Sequence, residues 1–512
     1  MVKVVDVTDL ETPLRAGRRE WAALGVLVLV VTLLAVDATV LYLAVPALTA
    51  DIGPSATQLL WIGDIYSFVL AGLLITMGNL ADRIGRKRLL LIGSAAFGIA
   101  SVISAFAPNP ETLIAARVLL GVAGATLMPS TLSIVRAMFA DPKQRTTAIA
   151  FWSMGATAGA ALGPLVGGVL LENFWWGSVF LINLPIMALV LIAGPILIPE
   201  SRGGATTPID LLSSLLSIVA IVPLVYSVKH WVGSGWDWTI PVCALLGLAA
   251  GWAFLRRQRR LTDPLLDITL FRLPAFSGAV AANGLAIFAF VGLLFFFSQY
   301  LQLVREYGPL QAGLAELPTT LAAMVVIAFV GWLAARLGAG RAIGLGLAVG
   351  AVGLVGIGLT TSQTTYWGLG IALVVIGLGT SVAMTLSTDA VVSAVPKERA
   401  GAASAIAETA YELGVALGIA VLGSVHLAMY RSHLDLPAGT NGADAAAAEQ
   451  SLAVTVDTVT DATVVEHARS AFADAVQTTS FLAAGLLVVS AVVAWRVIPS
   501  PRGALEKAHD AH

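Results

Sequence analysis

About fourteen runs of apolar residues, each roughly long enough to cross a bilayer as a helix, leave this chain little choice of fold. They lie near 22–45, 59–80, 88–107, 111–136, 146–171, 177–198, 208–230, 238–256, 274–301, 309–335, 340–361, 366–394, 401–425 and 478–498. Only 12% of the 512 residues are charged and 58% are hydrophobic, where soluble domains carry about 25% charged residues. The chain therefore reads as an all-α polytopic membrane protein. Its first run is full-length, lacks a small-residue cleavage site and carries Asp37 in its interior, so it reads as a retained helix and not a cleaved signal.

The 29 basic residues give an orientation. If the leading end of the first run, with Arg15, Arg18 and Arg19, is cytoplasmic, 24 of them fall on that side. Four (Lys229, Arg305, Arg431 and Arg469) fall outside, and Arg117 is left within a helix. That asymmetry satisfies the positive-inside rule and predicts that both termini are cytoplasmic. A net charge of -2 gives no sign of a nucleic-acid partner. The single cysteine, Cys243, excludes an intrachain disulfide, and the six histidines fall in loops, at segment ends or in the tail without metal-ligand spacing. No metal site is expected.

Internal symmetry organises the segments. Gly78-Asn-Leu-Ala-Asp82-Arg83-Ile-Gly85-Arg86-Lys-Arg88 recurs 253 residues later as Gly331-Trp-Leu-Ala-Ala335-Arg336-Leu-Gly338-Ala-Gly-Arg341, with six of eleven positions identical. Pro142-Lys-Gln-Arg145 recurs 254 residues later as Pro396-Lys-Glu-Arg399. Such repeats are expected of transporters. The repeated loops make segment two correspond to segment ten, a shift of eight helices where two six-helix bundles alone give six. Segments seven and eight thus read as an inserted pair. The predicted units are a six-helix bundle over 1–200, two inserted helices over 201–262, a six-helix bundle over 263–498 with an outer loop at 426–477, and a cytoplasmic tail over 499–512.

Five acids, Asp37, Asp64, Glu316, Glu408 and Glu412, lie inside the apolar runs. A charge at the bilayer centre costs at least a few kcal/mol, so such residues face a protein interior or a water-filled path. Together they suggest a route for protons, cations or both. The alternative for each is an interhelical hydrogen bond or ion pair with no part in transport. Asp389, near a helix end, reads as structural.

Several strings resemble the major facilitator superfamily. The Gly78 to Arg88 loop fits that family's signature between helices two and three, with Asp82, Arg83 and Arg86 able to latch helix ends through charge-assisted bonds. In the second copy Ala335 replaces the acid, so the first latch alone is complete. Gly159-Ala-Ala-Leu-Gly163-Pro164-Leu-Val-Gly167-Gly168, in the fifth segment, is similar to the family's antiporter motif; small residues four apart let helices approach, and Pro164 bends the helix. Val36-Asp37-Ala-Thr39 through Ala44-Val-Pro46, Trp61-Ile-Gly-Asp64-Ile-Tyr66-Ser67 and Glu408-Thr-Ala-Tyr411-Glu412-Leu-Gly414 resemble elements of the fourteen-helix drug:proton antiporters. The resemblance covers nearly the whole chain. It departs at Leu120, where the family often has Gln, and at Tyr42, where Asn is common.

What the resemblance implies is a major facilitator fold of fourteen transmembrane helices arranged six plus two plus six, in the bacterial cell membrane. It implies proton-driven export of lipophilic cations by alternating access. No Walker motif is present, so an ion gradient and no bound cofactor should drive transport. The expected partners are small lipophilic cations, protons and membrane lipids, and the expected state is a monomer.

A helix rises about 1.5 Å per residue, which puts Asp64, Arg117 and Glu316 roughly 7 to 10 Å below the outer edge, with Asp37 on the outer half of segment one. These four are expected to share one outward cavity, with Arg117 the partner of Asp37 or Asp64. Glu408 and Glu412 come out about 10 and 16 Å from the cytoplasm on one helix face. The expected division is coupling at Asp37 and Arg117, cation attraction at Glu408 and Glu412, Asp64 in either role, and Glu316, Tyr411, Trp61 and Tyr66 lining the substrate site. Trp61, Tyr66, Phe68, Trp152, Phe290 and Tyr411 are candidates for cation-π contacts, although any single one is commonly packing.

Two stretches carry less. In the 426–477 loop, Ala445 to Val456 is alanine-rich and Val464, Val465, Ala468, Phe472 and Val476 recur at helical spacing, which predicts a short helical hairpin over the outer mouth. The glycines from Gly344 to Gly358 read as a small-residue helix face. A carrier of an endogenous lipid, peptide or siderophore is the nearest rival function. A membrane-embedded enzyme or receptor is a second, against which stands the lack of a paired nucleophile and base or a signalling domain.

Overall fold

The computed structural model describes residues 15–201, 210–262, 264–361, 363, 365–395 and 400–498. Within them no strand occurs. The helices are α1 (Arg18–Ile52), α2 (Ala56–Ile84), α3 (Arg86–Ala105), α4 (Pro110–Met138), α5 (Pro142–Asn173), α6 (Ser178–Leu197), α7 (Leu211–Ser234), α8 (Thr239–Gln258), α9 (Pro274–Val304), α10 (Pro309–Leu337), α11 (Ala339–Thr360), α12 (Trp367–Ser393), α13 (Ala403–His433), α14 (Gly442–Gln450), α15 (Leu452–Thr458) and α16 (Ala462–Val497). Twelve of these are long and apolar enough to cross a membrane, and fourteen if α5 and α10, bent by 42° and 58°, each count as one span.

Local chemistry sets the boundaries. Ser55 accepts from the Gln58 amide while Gln58 returns a bond to the Ser55 amide, a capping box that starts α2. Asn109 caps α4 ahead of Pro110 in its first turn, and Asp461 caps α16. The bend in α5 falls between Ala160 and Leu162. Pro164 lacks the amide that would bond the Ala160 carbonyl, which places the bend one turn ahead of the proline. The sequence repeat is also a geometric one: Gly85 between α2 and α3 has φ 114° and Gly338 between α10 and α11 has φ 80°, values that favour glycine. The second repeated loop, Pro396 to Arg399, lies outside the described residues, as do the N-terminal 14 residues and the tail over 499–512.

One face of the molecule carries Arg18, the α2–α3 turn and the start of α5; we call it the basic face. The opposite face carries the ends of α1 and α13 and the α14–α15 hairpin. The hairpin differs from expectation in extent. Helix α13 runs on to His433 and α16 begins at Ala462, so the connection covers 434–461 and not 426–477. Val464, Ala468, Phe472 and Val476 are the buried stripe of α16 and not an arm of the hairpin. The Tyr430 hydroxyl donates to the Ala448 carbonyl at 2.8 Å and Arg431 donates to Glu449 and Val232 carbonyls, which ties the hairpin to α13 and to α7.

The halves meet chiefly through α2 with α13 and α5 with α10, supported by α1 against α9. The named contacts between them lie towards the hairpin face. Gln302 Nε2 donates to the Leu43 carbonyl at 3.1 Å, Gly168 lies on Leu310, Gly313 on Pro164, and Gly423 between Leu60 and Phe296. Nearer the basic face, Phe151 and Met154 of α5 are exposed. The inserted pair α7–α8 packs on itself, and α7 also lies along α2, where Gly72 accommodates Ile218 and the Thr76 and Ser214 hydroxyls bond each other.

Candidate functional site

The centre of the first half is a buried polar chain that no loop contributes to. Arg117 on α4 places Nη1 3.4 Å from Asp37 Oδ2 on α1 and donates Nε to the Ile62 carbonyl at 3.1 Å. Its guanidinium lies 4.8 Å from the centre of the Tyr66 ring. Asn183 of α6 donates one amide hydrogen to Asp37 Oδ1 at 2.9 Å and the other to Ser101 Oγ at 3.0 Å. Asp37 thus has both oxygens engaged, and Arg117 is only 2% exposed. Glycines make the reach possible: a side chain at Gly121 would meet the Tyr66 carbonyl at 2.8 Å, so α4 and α2 touch along their backbones.

Asp64 takes a different partner from the one expected. It pairs with Lys229 of α7, Nζ to Oδ2 at 2.5 Å, and the same ammonium sits 3.7 Å from the centre of the Trp61 ring. Both side chains are fully buried. Lys229, counted among the outer-side cations at the end of the 208–230 run, is instead a buried residue: α7 extends to Ser234 and carries the lysine inside the helix. A long cation near the end of an apolar run can snorkel to water, and only the neighbouring helix decides that it turns inward.

The second half brings its acids to the same centre. Glu412 on α13 is buried, lies in hydrogen-bonding reach of Ser67 on α2, and acts electrostatically on Tyr42, Tyr66 and Tyr411. Glu408, one turn nearer the basic face, is half-buried. Glu316 on α10 is buried beside Ser298, and its electrostatic surroundings include no Arg117. The expected single cavity for Asp37, Asp64, Arg117 and Glu316 is thus corrected: Glu412 from the opposite half joins Tyr42 and Tyr66 near Asp37, and Glu316 stands apart. Among the described residues no Lys or Arg is paired with Glu316, Glu408 or Glu412.

Of the aromatic candidates, Tyr66 and Tyr411 belong to this centre and Trp61 holds Lys229. Phe68 packs with Val225 and Ala416, Trp152 Nε1 donates to Thr131 Oγ1 at 3.2 Å, and Phe290 lies among Ile357, Leu373 and Ile376. These three serve packing. Sequence reasoning missed Asn183 and Lys229, and placed His426 at a helix end; it is buried within α13, its ring stacked on Phe296 at 4.2 Å.

The two motifs work as joints. Arg86 Nε bonds Asp82 Oδ1 at 2.8 Å and Nη1 donates to the Ser133 carbonyl, linking the α2–α3 turn to α4. Arg83 is exposed, and Gly85 lies against the Glu200 carboxylate, which accepts from the Lys87 amide. Along α5, Gly159, Gly163 and Gly167 face Thr32, Thr39 and Val40 of α1, whereas Pro164 and Gly168 face Gly313 and Leu310 of α10. One helix therefore packs within its half on one side and against the other half on the other.

Comparison with known proteins fits this arrangement. The model of the Major Facilitator Superfamily matches residues 27–419. The chain is 44% identical over 485 residues to the multidrug efflux pump LfrA of Mycolicibacterium smegmatis, covering 94% of this chain and 96% of that one. It is 36% identical over 484 residues to the methyl viologen resistance protein SmvA of Salmonella typhimurium, covering 93% and 98%. Among solved structures, a bacterial homologue of the human lysosomal transporter Spinster, inward-facing and unoccupied, aligns with TM-score 0.64 at 19% identity over 94% of this chain and 98% of that one.

Proposed function

We propose that this chain, which belongs to the major facilitator superfamily and is a multi-pass membrane transporter and not an enzyme, exports lipophilic cations in exchange for protons. One observation carries the reading: Glu412 stands buried where the halves meet, among Tyr42, Tyr66 and Tyr411, with half-buried Glu408 one turn away near Tyr411, and no cation of the described chain is paired to either. A buried charge without a partner costs several kcal/mol. Such carboxylates must be neutralised, either by a proton or by a bound cation, and the two exclude each other. That exclusion is exchange.

Aromatic faces beside the carboxylates suit a flat or quaternary cation, each such contact contributing about 0.5 to 2 kcal/mol. The names of the relatives, multidrug efflux and methyl viologen resistance, support the same substrate class. Coupling is assigned to Asp37 with Arg117. A proton on Asp37 removes the charge that holds the guanidinium, and the guanidinium also grips the Ile62 carbonyl and covers Tyr66, whose ring lies near Glu412. Proton uptake on α1 is thereby felt on α2, which forms the joint with α13.

With the basic face towards the cytoplasm, as the positive-inside rule requires, the joints near the hairpin face close the outer side and the cation enters from within. Both termini are then cytoplasmic, the proton gradient is the only energy source, and a monomer suffices because the site lies between halves of one chain. The test is ethidium transport by the full chain in vesicles with an imposed pH gradient, comparing wild type with Asp37→Asn and Glu412→Gln. Gradient-dependent movement should be lost in both variants. Failure of the wild type to move any of several lipophilic cations would remove the proposed function, and full coupling in Asp37→Asn would remove the role given to that residue.

A further inference from the structure

The inserted helix pair has a chemical consequence beyond packing. Lys229 Nζ lies 2.5 Å from Asp64 Oδ2 and 3.7 Å from the centre of the Trp61 ring, inside the membrane span and out of contact with solvent. A carboxylate beneath an aromatic face is the environment that binds an organic cation. Here the chain fills it with its own ammonium. The pair is a close, buried ion pair at charge-assisted hydrogen-bond distance. Lys229 also approaches from outside the two six-helix halves, on a helix that lies along α2.

The neighbouring geometry gives that occupancy a meaning. Ser67, in reach of Glu412, follows Asp64 by three residues on α2, an offset of roughly 4.5 Å along that helix. Tyr42 lies in the field of both. With Lys229 in place, Asp64 is withheld from an incoming cation and the acids of α13 alone are left to it; without Lys229, Asp64 is added to them. Removing one partner of a buried ion pair leaves the other charge uncompensated and demanding a replacement.

We infer that Lys229 is a tethered counter-cation that occupies the Asp64–Trp61 box in place of an exported cation, and so determines how many positive charges a substrate can place in the site. This rests on the drug-cation reading of the same centre. A dication gains from removal of the lysine charge; a monocation, satisfied by Glu412, gains little. The inserted pair thus acts on selectivity from outside the transport halves.

The test is equilibrium binding of radiolabelled methyl viologen, a dication, and tetraphenylphosphonium, a monocation, to the purified full chain in nanodiscs at fixed pH. Lys229→Met should tighten methyl viologen binding roughly tenfold relative to tetraphenylphosphonium, Lys229→Arg should leave the preference as in wild type, and adding Asp64→Asn to Lys229→Met should abolish the gain. No gain in folded Lys229→Met, or a gain that survives Asp64→Asn, overturns the inference. Should Lys229→Met fail to fold, the charge-free double variant is compared with Lys229→Arg. Equal dication affinity supports a carboxylate already occupied by the lysine, and a loss of roughly tenfold or more in the double variant shows that Asp64 already binds substrate and overturns it. Wild type that binds neither probe defeats the drug-cation reading itself, a result distinct from the others.

Discussion

Gly168→Ala should open the hairpin face without unfolding either half. A side chain there would meet the Leu310 Cα at 2.7 Å and the Pro309 carbonyl oxygen at 3.0 Å. Both are backbone atoms, which cannot rotate aside, so the clash is relieved only by separating α5 from α10. Overpacking of this kind costs about 1–3 kcal/mol. If the halves rock as units, that cost falls only on the conformation closed at the hairpin face, and the open conformation gains by roughly 5- to 150-fold. Spin labels on cysteines at the exposed positions Glu172 and Gln311, in a Cys243→Ser background, report the gap by pulsed dipolar spectroscopy in liposomes. The expected outcome is a new, longer distance in Gly168→Ala. Gly159→Ala is the control: its side chain would strike the Thr32 carbonyl of α1 within the same half, a contact both conformations keep, so it should lower thermal stability and leave the distance alone. An unchanged distribution in folded Gly168→Ala, or the same shift in Gly159→Ala, would refute the assignment of the two sides of α5 to different joints.

Asn183→Leu removes two amide hydrogen bonds, one of them to the Asp37 carboxylate; at about 1.5–3 kcal/mol for a bond to a charged group, gradient-driven ethidium export should fall roughly tenfold or more, and undiminished export would show that Arg117 alone positions Asp37. Gly85→Ala, at φ 114° and with the Glu200 carboxylate in the way, should cost about 1–3 kcal/mol of stability and lower the melting temperature in detergent more than Gly338→Ala, which meets the backbone strain at φ 80°. Equal melting of the two would remove Glu200 from the account. Tyr430→Phe deletes the bond to the Ala448 carbonyl, a net loss of about 0.5–1.5 kcal/mol, and cleavage within 434–461 under limited proteolysis should quicken by roughly 2- to 10-fold if local opening governs it.

The fold was legible because lipid leaves few options: run length specifies helices, and the repeat at Gly78 and Gly331 located turns that share a positive φ at Gly85 and Gly338. Helix α16 was harder, since its amphipathic first turns read as a separate arm; periodicity shows that a segment is helical but not where it stops being a loop. In the site, Asp37 with Arg117 could be anticipated, because Arg117 was the one cation left within an apolar run and needed a buried acid. Lys229 and Asn183 could not, one for lying near a span end and the other for carrying no charge.

Depth along each helix did not by itself identify partners across the bundle. Rise per residue gives the height of a side chain along its own helix but says nothing of the direction in which it points across the bilayer. Asp64 and Arg117 share a height and nonetheless take different partners, Lys229 and Asp37, because α7 lies on one side of α2 and α4 on the other. Glu412, estimated from the cytoplasmic side, meets Ser67 from the opposite half. The useful division among the buried acids is therefore not depth but whether the chain provides a counter-cation. Asp37 and Asp64 have one and can change state only when that partner is released, which suits coupling and gating. Glu408 and Glu412 have none among the described residues, which suits neutralisation by a charge from outside the protein, and a transporter that moves cations against protons requires sites of that second kind.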